Sequence, residues 1–268
     1  MNKVISYQNK KIFCRIYGSG KPVLLVHGFG EDGNVWNNQI EFLKDKFLLI
    51  VPDLPGSGQS EMISDMSMEG MAEVLHVIIH HEEIDNCCVI GHSMGGYITL
   101  ALAEKYWNHV SSFGLFHSTA FADSDEKKIT RKKGIEFINQ HGAFEFLKTI
   151  IPNLFSVNSK SQSRFISGPD SISDFIAGLS NSTPAALISY YQSMIQRPDR
   201  TNVLKNAVVP VLFIAGEQDV AVPFEDSLKQ CHLPEKCFFH VLKKSGHMGM
   251  IEEPGKVNRF LEEFLLNT

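Results

Sequence analysis

The order of apolar and polar positions divides the chain into short, continuous apolar runs and longer amphipathic stretches. Residues 4–17 alternate around the polar turn Gln8-Asn9-Lys10, which reads as two strands. The run Val23-Leu24-Leu25-Val26 follows and ends at His27-Gly28. It is too short for a helix and too apolar for a strand with one wet face. It predicts a strand buried on both faces. Residues 47–51, 87–90, 113–116 and 211–214 read the same way, with a further strand at 237–242. Residues 36–43, 67–81, 93–106, 224–230 and 254–266 predict helices between them. In the second of these, Met68, Met71, Ala72, Leu75, Ile78 and Ile79 fall on one stripe. Strands alternating with helices imply crossover connections. The predicted fold class is α/β, a mostly parallel central sheet flanked by helices.

One region breaks the rhythm. From 119 to 200 there is no apolar run of the buried-strand type. Helix-like pieces stand at 126–140, 144–150, 171–179 and 184–196. They are joined by polar segments such as Asn158-Ser159-Lys160-Ser161-Gln162-Ser163 and Ser167-Gly168-Pro169. The expected organisation is a core formed by residues 1–118 and 201–268, with a helical cap, residues 119–200, inserted in it.

Composition narrows the class of protein only by exclusion. A net charge of -5 gives no electrostatic case for binding nucleic acid or an anionic membrane. The cysteines Cys14, Cys87, Cys88, Cys231 and Cys237 form an odd set with no CxxC pair and no metal-ligand spacing. They read as reduced thiols. No stretch approaches the roughly 20 apolar residues of a membrane span, and the first 17 residues lack the apolar core of a secretory signal. A cytoplasmic protein is expected, a monomer or homodimer, with a small molecule as its partner and neither nucleic acid nor membrane.

The chemistry concentrates in a few segments. Gly91-His92-Ser93-Met94-Gly95 matches G-x-S-x-G between an apolar strand and a helix. A serine on so sharp a turn needs neighbours without Cβ atoms, and the start of a helix favours negative charge beside it. Ser93 is the candidate nucleophile. Its hydroxyl needs a base. Of the 11 histidines, His247 is the candidate, in the loop Ser245-Gly246-His247-Met248-Gly249-Met250 after the last strand. His92 should point away from Ser93, and His117 ends a strand where it could line a pocket. The imidazole needs a carboxylate to fix its tautomer. Asp219, in Gly216-Glu217-Gln218-Asp219, is the choice, ahead of Glu217, which should be structural or solvated. Asp123 and Asp125 are weaker substitutes. The oxyanion that forms during acyl transfer needs amide donors. Met94 supplies one, and Phe29, in His27-Gly28-Phe29-Gly30, the other.

Taken together, these segments resemble the α/β-hydrolase superfamily, in the group with a helical lid. The resemblance also includes Asp53-Leu54-Pro55-Gly56-Ser57-Gly58-Gln59-Ser60 and runs along nearly the whole chain. It implies that the insertion is a lid over the site, with Phe144, Phe146, Phe155 and Phe165 facing the pocket or forming the lid's own core. Ser93 stands where dehalogenases and epoxide hydrolases of this fold carry aspartate, and where dienelactone hydrolases carry cysteine. His92 stands where carbon–carbon bond hydrolases usually carry asparagine. The expected activity is hydrolysis of a small or medium carboxylic ester, with neither metal nor organic cofactor. The alternatives are a lactone, thioester or carbon–carbon bond hydrolase on the same triad, or a small-molecule receptor with slow turnover.

Overall fold

The computed structural model describes residues 1–162, 171–179 and 181–268. Eight strands form one sheet: β1 (Asn2–Tyr7), β2 (Lys10–Tyr17), β3 (Lys21–Val26), β4 (Phe47–Pro52), β5 (Cys87–His92), β6 (Val110–Phe116), β7 (Val211–Gly216) and β8 (Cys237–Leu242). Their order across the sheet is β1-β2-β4-β3-β5-β6-β7-β8. The first hairpin, β1–β2, is antiparallel, and β2 lies antiparallel to β4. Every later pairing is parallel. The continuous apolar runs explain this layout. Every residue of β5 and β7 is buried, as are the last four of β3, which is the signature of strands covered on both faces. A fully buried aliphatic side chain in such a strand contributes about 1.5–3 kcal/mol.

The helices follow from local signals. Ahead of the core insertion they are α1 (Asn37–Leu43), α2 (Met68–His81) and α3 (Met94–Lys105). The Ser67 hydroxyl caps α2 by accepting from the Gly70 amide, and the apolar stripe read from the sequence faces the core. Between β6 and β7 the described residues contain only helices: α4 (Asp125–His141), α5 (Ala143–Leu154), α6 (Val157–Ser161), α7 (Ile172–Gly178), α8 (Pro184–Gln196) and α9 (Thr201–Lys205). After β7 come α10 (Phe224–Leu228), α11 (Gly249–Glu252) and α12 (Pro254–Leu266).

Three helices were not legible in the sequence. The short turns α9 and α11 carry too few apolar positions to show a period. The segment at 158–163, expected as a polar joint, holds α6 over Val157–Ser161. The Ser156 hydroxyl accepts from the Ser159 amide and starts that helix. Phe165 and the joint Ser167-Gly168-Pro169 lie outside the described residues.

Parallel strands send their carboxyl ends to one edge, where ligands of open α/β sheets bind. That edge carries the loops after β3, β5, β6, β7 and β8, and so every candidate residue of the site. Helices α5 and α8 pack onto the same loops. The Tyr190 hydroxyl donates to the Pro55 carbonyl at 2.5 Å and lies 2.9 Å from the Ser57 hydroxyl. Phe146 and Phe155 are buried, whereas Phe144 is exposed and stands outside the buried core.

Candidate active site

Ser93 sits between β5 and α3 with φ 50° and ψ −115°. A side chain rarely adopts that φ, and such strain gathers at functional positions. Two hydrogen bonds hold it there. The Ser93 amide donates to the Phe116 carbonyl at 2.9 Å, and the Ser118 hydroxyl donates to the Ser93 carbonyl at 2.7 Å. The flanking glycines are required by close approach. A Cβ on Gly91 would lie 2.3 Å from the Gly95 carbonyl oxygen, and one on Gly95 would lie 2.5 Å from that of Val26. Among the described residues, the Ser93 hydroxyl has no hydrogen-bond partner.

The loop after β3 runs beside this turn; a Cβ on Gly28 would lie 3.2 Å from that of Ser93. Phe29 follows, its ring stacked on Tyr191 of α8 with centroids 4.4 Å apart. Met94 opens α3, where a helix leaves amides unpaired. Among the described residues neither the Phe29 nor the Met94 amide has a protein acceptor. Both remain free to hold an anion.

His247 and Asp219 meet from two separate loops. His247 Nδ1 donates to Asp219 Oδ2 at 2.8 Å. Asp219 Oδ1 accepts from the amides of Ala221 and Val222 at 2.8 and 2.9 Å. Burial disfavours charge on Asp219, but His247 and the bond from His117 outweigh it and hold the carboxyl far below the usual carboxylate range. Burial likewise disfavours a charged His247, yet the Asp219 carboxylate wins and raises its pKa. His247 is therefore more basic than a free histidine.

The backbone of His247 is fixed from three sides. Its amide donates to the Leu154 carbonyl at the end of α5, at 2.7 Å. Its carbonyl accepts from His92 Nε2 at 3.0 Å. Buried Glu252 accepts from the Gly246 amide at 2.8 Å through Oε2 and from the Ser156 amide at 2.8 Å through Oε1. It ties the loop of the base to the segment between α5 and α6.

His92 does turn away from Ser93. Its Nδ1 lies 3.0 Å from Glu31 Oε2, which also accepts from the Gly28 amide at 2.7 Å. Burial would raise Glu31, but His92 and its hydrogen bond hold the carboxyl low. Glu31 and His92 thus connect the loop of Phe29 to the loop of His247. His27 accepts from the Leu54 amide through Nε2, so its Nδ1–H donates to the Gly28 carbonyl; its role is to shape the loop.

The remaining candidates fall elsewhere. Glu217 is exposed. Asp123 is buried but bound by Arg131 at 2.6 Å and Arg197 at 2.8 Å, and Asp125 is solvated at the start of α4. Sequence reading missed Glu31, Glu252 and the role of His117. Nothing in a lone buried glutamate marks it as a brace. For His117 a signal existed, since it ends a buried strand at the active edge. His117 Nδ1 lies 2.9 Å from Asp219 Oδ2, the oxygen His247 also uses. Ligating atoms of His117, Asp219 and His247 lie within 4.8 Å of one another. Both nitrogens, however, face one oxygen at hydrogen-bond distances, the pattern of a shared acceptor.

The chain matches a family model described as alpha/beta hydrolase fold over residues 21–140. It superposes on the structure of a thermophilic esterase from Thermogutta terrifontis with a TM-score of 0.91 and 29% identity, covering 100% of this chain and 98% of that one. An enol-lactonase from Burkholderia xenovorans LB400 gives 0.88 at 18% identity, covering 98% and 100%, a likeness of fold. The Karrikin insensitive 2 receptor IA of Petunia hybrida is 27% identical over 267 residues, 91% of this chain and 90% of the receptor.

Proposed function

We propose, from the premise that the chain belongs to the α/β-hydrolase superfamily, that it is a serine hydrolase cleaving small or medium carboxylic esters. The observation that carries this reading is the buried Asp219–His247 pair on the sheet edge that also holds Ser93. His92, the neighbour of Ser93, has its ring 4.9 Å from that of His247. Ser93 Oγ attacks the ester carbonyl while His247 Nε2 takes its proton. The amides of Phe29 and Met94 hold the oxyanion. His247 then gives the proton to the leaving alcohol, and an acyl group stays on Ser93. Water attacks the acyl carbonyl as it loses a proton to His247, and His247 gives that proton to Ser93 Oγ as the bond to the acyl group breaks and the acid leaves. Asp219 keeps the Nδ1–H tautomer and stabilises the imidazolium. The aromatic cluster of Phe29, Phe146 and Tyr191 beside the loop of Phe29 suits a partly apolar acyl or alcohol group.

The test is hydrolysis of p-nitrophenyl esters from acetyl to long acyl chains, with Ser93→Ala alongside. Turnover that requires Ser93 and has a chain-length optimum is expected. Turnover retained by folded Ser93→Ala removes the mechanism.

The likeness to the petunia receptor favours one second reading, a small-molecule receptor with slow turnover. It predicts at most slow hydrolysis across the panel and a ligand-induced shift of the helices between β6 and β7. A cytoplasmic location belongs to the same proposal. It is supported by free thiols at Cys14, Cys87, Cys88, Cys231 and Cys237. No helix among the described residues is long and apolar enough to cross a membrane.

A further inference from the structure

His117 occupies an expensive position. It is fully buried, and its φ of 48° lies in the region that favours glycine. Its amide donates to the Ile214 carbonyl at 2.8 Å. Its Nε2 is buried with no hydrogen-bond partner among the described residues. A Cβ on Gly249 would lie 2.5 Å from that nitrogen, so only glycine at 249 leaves room for the ring. Strain and an empty acceptor persist only where surrounding structure imposes them. Among the described residues, the one polar bond the side chain makes is from Nδ1 to Asp219 Oδ2, at 2.9 Å.

We propose that His117 is a positioning residue of the active site, a second histidine that donates through Nδ1–H to the oxygen of Asp219 used by His247, and so fixes that carboxylate and moderates the basicity of His247. The inference rests on the triad reading above.

The arrangement has a direct consequence for charge. Asp219 is acceptor-only, so both imidazoles present N–H to Oδ2 and both carry the Nδ1–H tautomer. Four donors then surround one carboxylate: His117, His247 and the amides of Ala221 and Val222. Each donor takes up part of the negative charge. The His117 N–H dipole presents its positive end to the pair, and disfavours the imidazolium of His247. Burial keeps His117 itself neutral, pushing its pKa down to about 4 against the pull of Asp219. It therefore donates without adding a full charge at working pH. The other charged or titratable groups acting on the two imidazoles are His92, Glu31 and Lys127, and they are present with or without His117.

The test compares His117→Phe with His117→Asn. Phenylalanine keeps the ring and loses the donor. Asparagine loses the ring but places an amide N–H where Nδ1 stood. The acid limb of kcat/KM reports the pKa of the free base. In His117→Phe it should move up by about half a pH unit or more, and kcat should fall roughly tenfold to a hundredfold with KM little changed. His117→Asn should restore the limb and most of kcat. Equal behaviour of the two variants, or an unmoved limb in His117→Phe, overturns the proposal, because packing alone would then explain the residue. Nitrogen-15 histidine NMR of the unaltered protein decides the point even if neither variant folds. His117 should show protonated Nδ1 and bare Nε2 near neutral pH, and the reverse tautomer overturns it. Ser93→Ala run in parallel separates the two claims. Retained turnover there removes the triad mechanism, while the NMR result still decides whether His117 bonds Asp219.

Discussion

The two halves of the site are held by different means. The half around Ser93 belongs to the sheet: the serine leaves β5, bonds the end of β6 and lies beside the loop after β3. Its steric demands fall on glycines, Gly91 and Gly95 beside the serine and Gly28 in the loop after β3. The half around His247 is suspended between loops. Its ring depends on Asp219, 28 residues away, and its amide depends on Leu154 in the helical insertion. Glu252 then fastens that loop to the Ser156 amide. Ser93 itself is thus held by sheet residues, while the position of His247 also reports on the helices between β6 and β7.

The largest expected effect comes from breaking the suspended half at its charge. Asp219→Asn keeps the size of the side chain but loses the anion that fixes the tautomer of His247. Steady-state ester hydrolysis should show kcat reduced roughly ten-thousandfold. A loss below about tenfold would make the pair structural rather than catalytic.

Loosening the same half at its backbone should cost less. Glu252→Gln replaces an acceptor oxygen with an amide that faces protein N–H groups. Expected outcomes are a kcat about tenfold lower through a displaced His247, and a stability loss of about 1–3 kcal/mol. Kinetics and chemical denaturation check the two. Labelling of Ser93 by a small, highly reactive phosphonofluoridate should suffer less than turnover if the nucleophile half is truly independent.

A change in the insertion away from His247 sharpens the comparison. Tyr190→Phe removes the bond from buried Tyr190 to the Pro55 carbonyl. Unfolding should become easier by about 1–3 kcal/mol, with kcat within a few-fold of the original protein. A large fall in kcat would show that the nucleophile half also depends on the insertion.

Two smaller effects follow from pH. In the proposed mechanism His247 must be neutral to take the serine proton, and Asp219 raises its pKa above the ordinary value. The acid limb of kcat/KM should therefore have its midpoint above about 6.5. His117 shifts the other way, down to about 4. Between about 4 and about 6.5 the unfolded chain protonates this side chain and the folded chain does not. That term lowers stability as pH falls through the window. Thermal unfolding of His117→Phe should lose less stability over the same interval than the unaltered protein.

The sequence revealed the halves unequally for the same physical reason. Runs such as Val23–Val26 and Cys87–Ile90 declare buried strands because nothing else tolerates continuous apolar side chains on both faces. The Ser93 turn is legible because its crowding selects Gly91 and Gly95 locally. Chain order and loop position nominate His247 and Asp219, which the structure pairs at 2.8 Å. What brings them into register is not local. Glu31 meets His92, His92 meets the His247 carbonyl and Glu252 meets the Ser156 amide from positions far apart along the chain, and such bonds leave no spacing to read. His117 could be suspected of lining a pocket, but its bond to Asp219 exists only once β6 and β7 lie side by side. The short helices α6, α9 and α11 escaped because one or two turns are too few to display a period.

In the proposed mechanism Ser93 becomes acylated with His247 as its base. The most direct measurement is intact-mass and peptide analysis after incubation with an alkyl phosphonofluoridate. A single adduct per chain, mapped to Ser93 and lost in parallel in Ser93→Ala and largely in His247→Ala, is the predicted result. No adduct in the folded protein, or an adduct on another residue with Ser93 unmodified, would contradict the account.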